Sequence, residues 1–309
     1  MLLNTYKMKN IYLAFCCFGI IVIHSCKCNR ESINDNYLES ALNELEKEEQ
    51  LENNLELVKE IVYSMPSPLE TAMMIKRSGA NFNSDNLLDA EIAGNYITLD
   101  EMAIALGMYS ADLSYASMFN QTQHTINYMH ASRALAEKLG IFNIMSDEVI
   151  QRLENNVNNR DIILEIISES LMNTNQTLHE ENRENLSVLS LVGSWLEGMH
   201  IAIETAERAN VDNSELKDRI LEQKLAIDNI YRILLQYKND RQMKRIFKDI
   251  KSLKKSFDLI KTETEKVEKV GDKGQITLRS KRKFVISDSD YAKLKKSVIT
   301  TRNRFVKNN

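Results

Sequence analysis

The chain has 309 residues, 27% of them charged, and a formal net charge of −4. Two prolines and nine glycines are too few for the many tight turns of an all-β fold. The composition therefore points to long helices joined by short polar loops, in one large domain or two smaller ones.

The segment 7–26 carries the clearest functional signal. Lys7 and Lys9 precede an apolar run at 11–23, which is followed by His24, Ser25 and Cys26. A short cationic stretch, an apolar core and a small residue before the cleavage point make a secretory signal over 1–25. The run is shorter than the roughly 20 apolar residues that span a bilayer; an uncleaved N-terminal anchor is the other reading. Ile23-His24-Ser25-Cys26 resembles the lipobox of bacterial lipoproteins, with His24 standing where a small or aliphatic residue is usual. The resemblance implies that Cys26 is lipidated and becomes the mature N-terminus, leaving 284 of the 309 residues tethered to a membrane of a bacterial cell envelope. Cys16 and Cys17 leave with the signal, and Cys28 keeps no internal partner, so no disulfide framework is expected. Lys27 gives no strong retention signal for one membrane over the other.

Residues 26–36 are polar and read as a flexible tether. Leu38, Leu42, Leu45, Leu51, Leu55, Val58 and Val62 then recur at three and four, which predicts a helix over 37–63. Ser67, Pro68 and Glu70 form a capping box for a short helix that stops at Gly79. Residues 80–96 read as an extended loop with a helical turn near Leu87. Thr98 and Glu101 form a second capping box, and Leu99, Met102, Leu106, Tyr109, Leu113 and Ala116 line one face of the helix behind it. On that helix Ala103, Ala105, Gly107, Ala111 and Ala116 leave room for a close neighbour.

A second helix over 121–139 ends at Gly140, and the pair loosely resembles a tetratricopeptide unit, although no repeat at that period follows. Further helices are expected from Ser146 to Asn155, from Asn159 or Arg160 up to a polar stretch at 173–184, and over 186–209. Another starts at Asn213 or Ser214 and turns Leu216, Ile220, Ile227, Tyr231 and Leu234 inward; the next carries Met243, Phe247, Ile250, Leu253, Phe257 and Ile260. Residues 238–240 between them read equally as a turn or as continuing helix.

Gly271 and Gly274 end a helical body placed at 37–270. In the basic segment 271–309, residues 275–279 and 283–287 read as a hairpin across 280–282, and Asp288 or Ser289 caps a last helix. The fold class is all-α, an elongated antiparallel bundle or array of about eight helices with a small β-hairpin near 275–287.

No nucleophile elbow, phosphate-cradling glycine loop, zinc pair or dinucleotide fingerprint occurs in the sequence, so no catalytic, metal or cofactor-binding residue is assigned and no cofactor is expected. Four features are weighed as sites. Glu197 and His200 stand three apart on one helix, the spacing used in carboxylate-bridged di-iron bundles, but no second such pair exists and a helical wheel puts Glu197 on the polar flank. Asp112 lies among Met108, Tyr109, Tyr115 and Phe119, where a carboxylate needs a partner; Arg133 on the next helix or a tyrosine hydroxyl is the candidate. Trp195, the only tryptophan, sits between Gly193 and Gly198 and reads as a core anchor rather than a ligand platform.

The fourth feature is charge. Residues 238–309 hold 22 Lys and Arg against 9 Asp and Glu, a surplus of 13 positive charges, so the remainder carries −17 to reach the total of −4. Lys281, Arg282 and Lys283 form a candidate anion patch within this basic end, which also holds Lys251, Lys254, Lys255, Lys293, Lys295, Lys296, Arg302 and Arg304. Such asymmetry suits an anionic envelope partner or the chain's own acidic half; nucleic acid is not expected.

The segments 63–70, 107–116 and 190–195 resemble an uncharacterised group of α-helical lipoproteins of Bacteroidota-type bacteria. That resemblance implies a membrane-anchored helical body and carries no activity. The expectation is a lipid-anchored, non-enzymatic binding or scaffold protein in an extracytoplasmic space, periplasm-facing or surface-exposed. The alternatives are an enzyme using Glu197, His200 and Asp112, and an anion-binding protein working through the basic end.

Overall fold

The computed structural model describes residues 65–141, 146–156, 159–208, 214–264, 268–270, 277–279 and 282–307. The signal, Cys26, the tether and the helix expected over 37–63 lie outside the described residues, as does Lys281. The fold is all-α: ten α-helices and two short antiparallel strand pairs stand among the described residues.

Both capping boxes form. Ser67 caps helix α1 (Pro68–Arg77), its Oγ accepting from Glu70 N at 3.1 Å while Glu70 Oε2 accepts from Ser67 N at 2.7 Å. Gly79 beyond it takes φ +77°, the left-handed conformation that suits glycine after a helix. Thr98 and Glu101 cap helix α2 (Leu99–Met118) in the same way. The segment between α1 and α2 contains two 3-10 turns, Ser84–Asn86 and Ala90–Asn95. Helix α3 (Thr122–Lys138) follows α2 and stops before Gly140, again at φ +77°. Helix α4 (Asp147–Asn155) is capped by Ser146. Helix α5 (Arg160–Glu180) continues through much of the stretch expected to interrupt it, because its polar residues 173–180 lie on a helix with Thr174 and Leu178 still turned inward.

Helix α6 (Glu184–Glu207) is the axis of the molecule. It packs against α1, α2, α5 and, later in the chain, the helices Ser214–Glu222, Lys224–Gln236 and Asp288–Asn303, and nearly every residue from Leu186 to Ile203 is buried. One helix among the described residues, α6, is long and apolar enough to cross a membrane; 94% of that stretch is buried in the body, as in the central helix of a packed domain.

The crossing of α2 and α6 is unusually close because two glycines face the opposing backbone. A Cβ on Gly107 would lie 1.9 Å from the Ser190 carbonyl oxygen, and one on Gly193 would lie 2.1 Å from that of Ile104. The small residues of α2 thus do what their spacing suggested. Trp195, on the same turns of α6, is a core anchor: it is 4% exposed, stacks near Phe257 at 5.7 Å and donates from Nε1 to Gln223 Oε1 at 3.1 Å.

After α6 the expected single helix is two, α7 (Ser214–Glu222) and α8 (Lys224–Gln236), broken at Gln223, the residue that receives the Trp195 bond. Residues 238–240 form a turn that leads into α9 (Lys244–Phe257), which packs on α8. The helical body ends at Phe257 rather than near Gly271. Residues 261–270 have no apolar alternation to mark them as strand, yet β1 (Lys261–Thr264) and β2 (Glu268–Val270) are strands. A hairpin is present near 275–287, but its partners differ from those expected. Strand β3 (Thr277–Arg279) pairs with β2, and β4 (Arg282–Val285) pairs with β1, so 277–279 and 282–285 bond to the preceding arm and not to each other. The last helix, α10 (Asp288–Asn303), is capped by Ser287, one residue earlier than expected, and packs on α6 and α9.

The crossing makes a direct prediction. Gly107→Ala must push the two backbones apart and should lower unfolding stability by at least about 3 kcal/mol in a urea titration. Gly94→Ala, with nothing within 4 Å of its added carbon, is the control and should change stability by less than about 0.5 kcal/mol.

Candidate functional site

Close approach of α2 and α6 brings two carboxylates into the interior. Asp112 projects from α2 and Glu197 from α6, and each is 0% exposed. The expected polar flank for Glu197 does not exist, because α6 is enclosed on all sides by other helices. Its countercharge comes from the far end of the chain. Arg302, on α10, donates from Nε to Glu197 Oε2 and from Nη2 to Oε1, both at 2.8 Å, a buried bidentate pair. Arg302 follows the inward series Tyr291, Leu294 and Val298 at helical spacing, with Phe305 beyond it. That register was the signal in the sequence that marked this arginine as different from its solvated neighbours.

Asp112 is satisfied by a different route from the two considered. Arg133 instead pairs with Glu137 and Asp147, each at 2.7 Å, on the outside of α3. Among the described residues no tyrosine bonds to the carboxyl either. Tyr109 donates to the Asp89 carbonyl at 2.7 Å and Tyr128 to the Leu88 carbonyl at 2.8 Å, while Tyr115 accepts from Asn83 N at 3.2 Å. These three rings fasten the 80–96 segment over α2, and that segment presents Leu88 N to Asp112 Oδ2 at 3.0 Å. Asp112 Oδ1 has no hydrogen-bond partner among the described residues.

One guanidinium therefore serves two buried carboxyls. Burial pushes Asp112 well above the usual carboxylate range, and the nearby Glu197 charge pushes it further; the Leu88 bond and Arg302 pull back only in part. Burial also raises Glu197, but Arg302 opposes this through both oxygens. The balance of these effects favours the protonated form at Asp112 and the ionised form at Glu197.

His200, one turn along α6, is 8% exposed. Burial, and then the Arg302 charge, pull it down to about 4, while a hydrogen bond with the Asn86 backbone acts the other way. It is a neutral imidazole whose Nδ1 has no partner among the described residues. Asp112, Glu197 and His200 do share one polar cluster in the core, joined by Arg302. Among the described residues no group of three or more His, Cys, Asp or Glu is arranged to hold a metal ion.

The basic end is partly used internally. Besides Arg302, Lys307 Nζ bonds Glu101 Oε1 at 2.7 Å, Lys295 pairs with Glu207, and Arg304 pairs with Asp249. Of the candidate anion patch, Arg282 and Lys283 are exposed but border a groove of about 450 Å³ whose wall also contains Glu215, Asp218 and Glu222 on α7. Acids thus share the space these two cations offer.

No protein family, no curated protein and no solved structure matches this chain.

The proton assignment has a pH consequence. A carboxyl whose folded pKa is raised above the unfolded value of 3.8 contributes stability that is complete below that value and is lost as pH rises through the folded titration. Asp112→Asn mimics the protonated form and still accepts from Leu88 N. Its stability relative to the parent should therefore grow with pH, measured by urea unfolding between pH 5 and pH 9, where unfolding should stay two-state. Glu197→Gln strips Arg302 of its partner and should cost about 3–5 kcal/mol near neutral pH. Equal losses from the two amides would contradict this division of charge.

Proposed function

We propose that this chain is a bacterial lipoprotein, anchored through Cys26, whose helical body is a non-enzymatic binding or scaffold protein in an extracytoplasmic space. The observation that carries the reading is the order of features in 7–26: a basic pair, an apolar run too short to span, and a lipobox-like Ile23-His24-Ser25-Cys26. The likeness of 63–70, 107–116 and 190–195 to helical lipoproteins points the same way.

The interior of the body is in keeping with a structural role for its polar cluster. Arg302 engages both Glu197 oxygens, so that carboxylate already has its countercharge and is held in a fixed orientation. The competing reading, a metal- or acid-dependent enzyme, draws on Asp112 Oδ1 and His200 Nδ1, two of the six buried side-chain atoms left without a hydrogen-bond partner among the described residues. Stoichiometric iron or zinc in the purified protein would favour that reading over the scaffold.

The test of the anchor is Cys26→Ser. Mass spectrometry of the parent should find a lipid-modified N-terminal cysteine at position 26, and the variant should lose the modification and remain uncleaved. A variant that is still lipidated and processed would remove the basis of the proposal.

A further inference from the structure

Helix α9 has two opposite faces. Ile246, Ile250, Leu253 and Phe257 are buried against the body, whereas Lys244, Lys248, Lys251 and Lys255 are exposed. At 100° per residue these four lysines fall within about 60° of one another, in a row about 16 Å long. None of them has an ion pair among the described residues, whereas Lys254 on the same helix is engaged. Lys254 binds Asp228 at 2.8 Å and Asp258 at 2.6 Å, and Asp249 is taken by Arg304. The acids closest in sequence are therefore already committed, and the row stands as an unneutralised strip in a segment with a surplus of 13 positive charges.

We propose that this lysine row docks the body on an anionic lipid surface. The proposal rests on the reading that the chain is membrane-anchored: a tethered body meets headgroups continuously, and a lipid anchor is reinforced by a basic patch as a second signal. The chemistry favours a diffuse layer of headgroups over a structured polyanion. All four residues are lysines, flexible point charges, with none of the arginine forks that recognise a single phosphate bidentately. Of the aromatic residues of α9, Phe257 is buried, and Phe247, half-buried at the border of the strip, is already stacked on Tyr231 at 5.7 Å. Stacking platforms of the kind that hold single-stranded nucleic acid are thus missing from this face.

The experiment uses the full chain carrying Cys26→Ser, so that no attached lipid contributes, and vesicles of phosphatidylglycerol with phosphatidylcholine against pure phosphatidylcholine. Co-sedimentation should show binding to the anionic vesicles that falls steeply between about 0.05 and 0.5 M salt, over which the Debye length shortens roughly threefold. Replacing Lys244, Lys248, Lys251 and Lys255 together by Glu should weaken that binding by about a hundredfold or more. Circular dichroism should be unchanged, since all four side chains are exposed. Arg282→Glu with Lys283→Glu should have little effect.

Any insertion of the apolar run 11–23 would bind neutral and anionic vesicles alike and would ignore the four substitutions, so it is separable from the effect sought. Binding to anionic vesicles that survives the fourfold change, or no preference for them at all, overturns the proposal. So does salt-sensitive binding of a soluble sulfated polysaccharide with none to vesicles. The result is independent of whether Cys26 is lipidated in the cell, which mass spectrometry of the parent decides by itself.

Discussion

The structure depends on the close crossing of α2 and α6. Gly107 and Gly193 let two backbones come nearer than any side chain would permit, and the consequence is that α6 is covered on every face. A polar group on a fully covered helix has no water to turn to and must find its partner inside the protein. Glu197 is such a group. Its requirement for a buried cation recruits Arg302 and so fixes where α10, the last element of the chain, must lie. The glycines near the start of the fold and the arginine near its end belong to one constraint, although 195 residues separate Gly107 from Arg302 in the sequence.

The arrangement around Glu197 also sets the charge balance of the acid and the histidine beside it. Burial, and then the Glu197 charge, push Asp112 toward its protonated form, and His200 stays neutral because it is buried beside a guanidinium. A buried ion pair contributes less to net stability than its geometry suggests, since desolvation offsets much of the attraction. Its value here is positional: a wrongly docked α10 would leave Glu197 charged and alone. The basic end then divides in two. Arg302, Lys295, Arg304 and Lys307 bind the acidic body, while the lysine row of α9 faces outward.

Much of the fold was legible in the sequence where the cause is local. Ser67 with Glu70, Thr98 with Glu101, and Gly79 and Gly140 mark helix ends by chemistry that acts within one turn, and the helices begin and end there. The small-residue face of α2 was legible too, because close approach requires it. Glu197 was misplaced for a physical reason: a wheel assumes one apolar and one wet side, and α6 has no wet side. For Asp112 the sequence offers Arg133 on the next helix or a tyrosine hydroxyl, whereas its real surroundings come from the Leu88 backbone and from a helix some 190 positions on, which no spacing encodes. The strands at 261–270 were missed because Thr, Glu and Lys alternate there without an apolar face, so pairing partners and not periodicity define them.

The account turns on the coupling between Glu197 and Arg302, and a double-mutant cycle measures it directly. Glu197→Gln and Arg302→Met should each destabilise the protein strongly, because each leaves the other member buried and unmatched. The double variant should lose far less than the two together, with a coupling of about 3 kcal/mol in urea unfolding. Additive losses, with coupling near zero, would contradict the claim that this pair positions the end of the chain.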